Sequence, residues 1–304
     1  MTAGIGEARR PGTWASFQRW LYRHPRVQLV ALLTLPIGAL FIVYFGSLLV
    51  LLANAFWTLD PFTRQVQQSP SLDNFETILT TPVYHTITLR TVGTAALVTL
   101  LCAVIGFPVA YYIARMASPR VRRLLVVMVL LPLWASYLVK VFAWRAILQQ
   151  QGVLNWLLAP LGLEGPGYNT TIGIIDVSTT LVFTYLWLPY MILPIIAGLE
   201  RIPHSLLEAS ADLGGRSGLT FRKVILPLSL PAVVAGSIFT FSLTMGDFIT
   251  PQLVSSTQFL GNVIYREVGV SGNLPLAAAL AMIPIAVMIV YLFAARRLGA
   301  FEAL

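Results

Sequence analysis

The chain has only two lysines in 304 residues, Lys140 and Lys223, and neither follows a glycine or precedes a serine or threonine. A phosphate-binding P-loop needs Gly-Lys followed by Ser or Thr, so no Walker-type ATP site is expected in this polypeptide. Histidine is equally scarce. His24, His85 and His204 lack ligand-like spacing, and the topology argued below divides them between two sides of a membrane, so no metal site is expected. The single cysteine, Cys102, excludes an internal disulfide and suits a small buried hydrophobe. No Gly-x-Ser-x-Gly elbow occurs and no histidine falls within an apolar run, which argues against a nucleophilic hydrolase. An intrinsic enzyme is not expected, nor a cofactor.

Charge is the other scarcity. Asp, Glu, Lys and Arg make up 11% of the chain, against about 25% in soluble domains. Hydrophobic residues make up 57% and the mean hydropathy is +0.78. An all-α membrane protein follows, with room for several spans of about 20 apolar residues. Six are predicted: 28–57, 86–114, 124–148, 171–199, 229–254 and 274–295. The first, 30 residues long, would measure about 45 Å as a helix and must tilt or project beyond the hydrocarbon core. Prolines 108, 132, 189, 194 and 284 fall inside these spans, as is tolerated where neighbours satisfy the freed carbonyls.

The net charge of +8 raises the possibility of nucleic-acid binding, but the distribution of the basic residues answers it. Arg9, Arg10, Arg19, Arg23 and Arg26 precede the first span. Arg115, Arg120, Arg122 and Arg123 fill the second loop, and Arg201, Arg216, Arg222 and Lys223 the fourth. Arg296 and Arg297 follow the last span. Fifteen of the twenty Lys and Arg therefore share one side, and the positive-inside rule places both termini in the cytoplasm. No nucleic-acid partner is needed.

A basic start before an apolar run can be a signal peptide, but the apolar run here is about twice the usual 7–15 residues of a signal core. A retained span is expected. Before it, Trp14, Phe17, Trp20 and Leu21 recur at helical spacing among Arg10, Arg19 and Arg23. Residues 1–27 thus read as a basic amphipathic segment lying on the cytoplasmic leaflet, or else as a basic tail. Residues 28–304 form one membrane domain.

Ionisable groups inside spans mark functional hypotheses. Asp247, in Met245-Gly-Asp-Phe-Ile-Thr-Pro251, lies towards the outer end of the fifth span between Gly246 and Pro251, where a helix can break. It reads either as a carboxylate lining a substrate route or as a cap or ion-pair partner within the protein. In the third span Trp134, Tyr137 and Trp144 offer aromatic surface to a cation, although an interfacial belt explains such residues equally well. Lys140 and Arg145 can snorkel or pair with acids such as Asp176, and Arg90 reads as an outer-edge anchor. Glu200 and Asp212 are expected to serve loop structure.

The densest signal is a polar interval at about 200–228. A helix-forming run from Ser205 to Leu213 is followed by Gly214, Gly215 and Gly218, glycines that can take the positive φ angles that end a helix. Leu206, Ala209, Ser210 and Leu213 share one face of that helix, which suits docking into a groove on another protein. Glu208, Ala209, Gly214, Leu226 and Pro227 match the pattern Glu-Ala-Ala, three residues, Gly, nine residues, Ile-x-Leu-Pro, with Ser210 and Val224 as small departures. This pattern resembles the signature of permease subunits of bacterial ABC importers.

The resemblance extends from Ser71 onward. Ser71-Leu-Asp-Asn-Phe75, Gly106-Phe-Pro-Val-Ala-Tyr111, Leu131–Arg145, Gly246–Pro251, Ile264-Tyr-Arg-Glu267 and Arg296-Arg297 are similar to the spermidine/putrescine branch, and most to the first of its two permease subunits. It implies the six-helix type I (MetI-like) fold in a bacterial inner membrane, with 205–227 as the coupling loop. It also implies two ATPase subunits, a second permease identical or related to this one, and a periplasmic or lipid-anchored binding protein. A polyamine is the implied substrate. An opine, aminophosphonate or iron complex belongs to the same branch, and an ion-coupled secondary transporter using Asp247 and Asp176 is the rival from another class.

The topology makes a direct prediction. In a Cys102→Ala background, cysteines placed at Ser118 and Ser217 should react with an impermeant thiol reagent only from the cytoplasmic side. Labelling only from outside would invert the assignment.

Overall fold

The computed structural model describes residues 22, 24–162, 165, 167 and 170–299. The interfacial segment expected around Trp14, Phe17, Trp20 and Leu21 lies outside them. The chain divides into two units at Asn54/Ala55. The first contains helix α1, Pro25–Asn54, three of whose polar side chains bond to their own backbone: Thr34 to Val30 O, Ser47 to Tyr44 O and Asn54 to Val50 O. A helix that satisfies its polar groups internally is suited to hydrocarbon.

The second unit opens with a minimal hairpin, β1 (Thr58–Leu59) and β2 (Val66–Gln67), closed by Asp60. The amides of Thr63 and Phe62 donate to Asp60 and hold its carboxyl below the usual carboxylate range. Helix α2, Asp73–Thr80, then leads into α3, Pro82–Tyr111, which continues through a π turn to Met116. Helices α4 (Pro119–Trp134) and α5 (Tyr137–Ile147) follow, then the short α6 (Val153–Leu158). A second hairpin, β3 (Thr171–Ile172) with β4 (Ile175–Asp176), precedes α7, Val177–Arg201. Next come α8 (His204–Asp212), α9 (Ser217–Thr220) and a π turn into α10 (Leu226–Gly246). The unit closes with α11 (Ile249–Val254), α12 (Leu260–Arg266) and α13 (Leu274–Arg297).

Among the described residues five helices are long and apolar enough to cross a membrane, and α4 with α5 makes the sixth if counted as one broken span. The six expected segments are therefore found, but three differ in form. The third is broken at Ala135–Ser136 and bent by 93°, since both residues leave the helical region (ψ 142° and 137°). The fourth begins at Val177 because 171–176 forms the β3–β4 hairpin. The fifth stops at Gly246 and restarts as α11.

The core is a bundle of α3, α7 and α10 in mutual contact. Small residues set the spacing. A Cβ on Gly198 of α7 would come within 2.3 Å of the Ala232 Cβ on α10, and one on Gly236 of α10 within 2.9 Å of Met191 Sδ on α7. From the other side Gly106 of α3 faces Ile192 and Met191, its would-be Cβ 3.2 Å from Ile192 Cγ1. Helices in lipid gain association energy from such close backbone approach, because burial of apolar surface offers little there. Val98, Cys102, Val182, Phe183, Leu186, Met191, Ile195 and Leu199 fill the centre of this packing. Cys102 is fully buried, as expected of a small hydrophobe.

Restoring a side chain at the tightest contact should loosen the bundle. Gly198→Ala is expected to lower stability in detergent by about 1–3 kcal/mol, the usual cost of overpacking. Gly198→Ala combined with Ala232→Gly should recover most of it, a result that a thermal-unfolding series would show.

Candidate functional site

The break between α10 and α11 is organised by one carboxylate. Asp247 Oδ1 accepts the amides of Ile249 (2.8 Å) and Thr250 (3.0 Å), which are orphan donors at the start of α11. Its Oδ2 accepts the Tyr137 hydroxyl and lies 3.2 Å from Thr250 Oγ1, and Thr250 Oγ1 lies 2.6 Å from Tyr137 Oη. Tyr137 is the first residue of α5, so the same carboxylate ties the two broken spans together. Asp247 is thus engaged as a cap and cross-link, and it also lines the cavity beside it.

Around this knot lies a cavity of about 330 Å³, lined by Tyr137, Trp187, Ser242, Leu243, Asp247 and Phe248 among others. Its walls are largely aromatic and aliphatic. Tyr137 stacks on Trp187 of α7 (centroids 6.1 Å, planes 14° apart), and Phe248 on Tyr265 of α12 (4.8 Å, 14°). Of the three expected pathway residues, Asp247 and Tyr137 meet here. Trp134 is 84% exposed at the end of α4 and does not line the cavity. Trp187 went unrecognised because it sits in an apolar run, Leu186-Trp-Leu-Pro189, that reads simply as a span.

Two other polar expectations change. Asp176 is fully buried and its carboxylate is taken up locally: Oδ1 accepts the Thr179 amide as the N-cap of α7, and Oδ2 accepts the hydroxyls of Ser255 and Thr257. It serves as a junction between α7 and the loop after α11, a role closer than pairing with Lys140 or Arg145. Arg90 bridges loops where an anchor was expected, donating to Ile174 O (3.2 Å) in the β3–β4 turn and to Gln258 O (3.0 Å).

At the opposite end, α8 forms the first helix of the polar interval. Gly214 has φ +80° and supplies the left-handed residue that ends it. Gly215 and Gly218 do not adopt positive φ. Gly215 is instead confined by space, since a Cβ there would meet Ser210 O at 2.5 Å. Ser210 makes a side-chain contact that alanine could not, its Oγ lying 2.8 Å from Thr220 Oγ1, while its backbone carbonyl accepts the Gly215 amide at 2.8 Å. Leu207 and Phe221 turn inward against the core, Phe221 meeting Phe107 and Tyr111 of α3 edge to face. Leu206, Glu208, Ala209 and Leu213 face outward, with Leu213 89% exposed. Pro227 follows the π turn Phe221–Ile225, at the second position of α10. The helix widens just where a proline ring would crowd the preceding turn.

Residues 106–300 match the family model described as "Binding-protein-dependent transport system inner membrane component". The chain belongs to this family. It is an ABC importer permease, an integral protein of the inner membrane. It is 45% identical over 306 residues to the inner membrane ABC transporter permease protein YdcU of Escherichia coli K12, covering 97% of each chain. It is 31% identical over 247 residues to the spermidine/putrescine transport system permease protein PotB of Haemophilus influenzae, covering 80% of this chain and 84% of that one. Among solved structures, a bacterial importer of the acidic polysaccharide alginate matches with TM-score 0.74 at 18% identity, over 92% of this permease and 98% of that chain. The MetNI methionine transporter matches with TM-score 0.55 at 18% identity, over 73% and 98%. These likenesses establish the MetI-like fold.

The Asp247 knot predicts a measurable coupling. Asp247→Asn and Tyr137→Phe should each destabilise the permease, and the double variant by less than their sum. Two groups sharing one hydrogen-bond network are expected to couple by about 0.5–3 kcal/mol. Additive losses in a double-mutant cycle would separate the two residues.

Proposed function

We propose that the permease forms half of the substrate pathway of an ATP-driven importer whose cargo is a polyamine or a related small organic cation. Its loop at 205–227 couples to ATPase subunits. ATP hydrolysis belongs to two such partners, and the second half-pore to a second permease, related but not identical. A periplasmic or lipid-anchored binding protein delivers the substrate, and both termini face the cytoplasm. The observation that carries the coupling role is the form of the loop. A short helix stopped by Gly214 is pinned to the core by Leu207 and Phe221 and turns Leu206, Ala209 and Leu213 outward as an uncovered apolar face. Such a face fits a groove on another protein.

In the mechanism, closure of the nucleotide subunits moves α8 and switches the cavity from inward- to outward-facing access. Glu208 provides a polar contact at the docking face, and Gly214 fixes the turn. The substrate class rests on the likeness to the spermidine/putrescine permease and on the aromatic lining. With both oxygens of Asp247 already engaged, the cation is met by the faces of Tyr137 and Phe248, with Trp187 stacked behind Tyr137, and cation–π attraction acts there. An opine, aminophosphonate or iron complex is the competing cargo. Membership of a binding-protein-dependent family favours the ATP-driven reading over an ion-coupled carrier.

Two experiments separate role from cargo. Gly214→Val places a β-branched residue at φ +80°, a strained position. It should leave the complex assembled while uptake is lost and ATP hydrolysis loses its response to loaded binding protein. Normal uptake would remove the coupling role. Calorimetry of the partner binding protein should show binding of spermidine or putrescine, and binding only of an opine, aminophosphonate or iron complex would replace the cargo.

A further inference from the structure

The end of α7 is gripped from the side. Its last carbonyls carry the negative end of the helix dipole, and that of Leu199 accepts the Ile202 amide at 3.3 Å. Arg115, in the π turn that ends α3, donates from one guanidinium nitrogen to both Leu199 O and Ile202 O, the latter at 2.7 Å. Between those two carbonyls, Glu200 forms an ion pair with Arg122 in the first turn of α4. Three positions at the end of α7 are therefore held by side chains from α3 and α4. Leu199 and Ile202 are themselves buried, and Arg115 is half-buried, so its contacts are less screened than those of a surface pair.

The connections on either side of this grip are short and stiff. Ile202 is extended (φ −72°, ψ 116°) and leads directly into Pro203 (φ −67°, ψ 143°), after which α8 begins. A proline restricts both itself and the residue before it. Between α3 and α4 stand only Ala117 and Ser118, both extended and followed by Pro119. No flexible segment lies on either route from α8 to α3 and α4.

We propose that Arg115 and Arg122 are positioning residues for energy coupling: they lock the end of α7 to the α3–α4 corner, so that a displacement of α8 is delivered to α3 and α4 as well as to α7. This rests on the reading of α8 as the coupling helix. Basic residues on the cytoplasmic side satisfy the positive-inside rule wherever they stand, and that rule gives no reason for two of them to converge on one helix end.

The test uses the complete importer in proteoliposomes, with spin labels on Ala211→Cys of α8, exposed and off the docking face, and Val121→Cys of α4 in a Cys102→Ala background. In the otherwise unchanged permease the 211–121 distance should be narrow and equal in the nucleotide-free and ATP-bound states. Arg115→Met with Arg122→Ala should broaden it and make it depend on nucleotide. The same pair of substitutions should lower the stimulation of ATP hydrolysis by loaded binding protein by about five-fold or more, the scale of an ordinary allosteric coupling, in an assembled complex. A 211–121 distance that changes with nucleotide in the unsubstituted protein overturns the proposal, even if the double variant fails to assemble. A narrow distance and full stimulation in the double variant overturn it too. An error in the coupling reading itself shows differently, as normal uptake by Gly214→Val.

Discussion

The structure depends on the close approach of α7 to α3 and α10. That approach is set by the absence of side chains at Gly106, Gly198 and Gly236, with Met191 lying between two of them. In lipid the bundle cannot rely on expelling water between helices, so contact geometry must supply the cohesion. Fixing α7 in this way fixes three things along its length. At its first turn, the Asp176 cap gathers Ser255 and Thr257. In its middle, Trp187 stacks against Tyr137 beside the cavity. At its last turn, Leu199, Glu200 and Ile202 meet Arg115 and Arg122. One helix thus runs from the loop that leads into α8 to the loop after α11 and touches the cavity on the way.

The two helix breaks obey the same constraint in another form. Irregular backbone at membrane depth persists only where its polar groups are satisfied or line a cavity. Asp247 meets both conditions, capping α11 with one oxygen and binding Tyr137 of α5 with the other. The carboxylate is thereby engaged in holding the two breaks together, beside a cavity walled largely by aromatic and aliphatic side chains. In the proposed pathway recognition falls to those walls, since a fixed counter-charge would hold a cation more tightly than aromatic faces do.

The sequence made the spans legible because hydropathy over some 20 residues is a collective signal, insensitive to where individual side chains point. The form of the polar interval at 205–227 was legible for a different reason. Its helix, its Gly214 stop and its spacing to Pro227 are local, and Gly214 has the positive φ expected of it. The break in the third span was hidden because Pro132, the visible helix breaker, lies inside α4, while the bend falls at Ala135–Ser136, residues with no strong preference of their own. Trp187 and Arg115 were hidden because their roles depend on tertiary partners: Tyr137 is 50 positions before Trp187, and Leu199 is 84 positions beyond Arg115. The partners of Arg90 were hidden for the same reason, being carbonyls of loops 84 and 168 positions away.

The central claim is that the cavity at the two breaks belongs to a pathway with alternating access, driven from the cytoplasmic loop. Ser242 lines that cavity and lies outside the Asp247 knot, so a cysteine there reports access without disturbing it. In the reconstituted complex, Ser242→Cys in a Cys102→Ala background should react with an impermeant thiol reagent from the cytoplasmic side in the nucleotide-free state and from the outer side with ATP bound. Reactivity that stays on one side in both states, or none in either, would contradict the account.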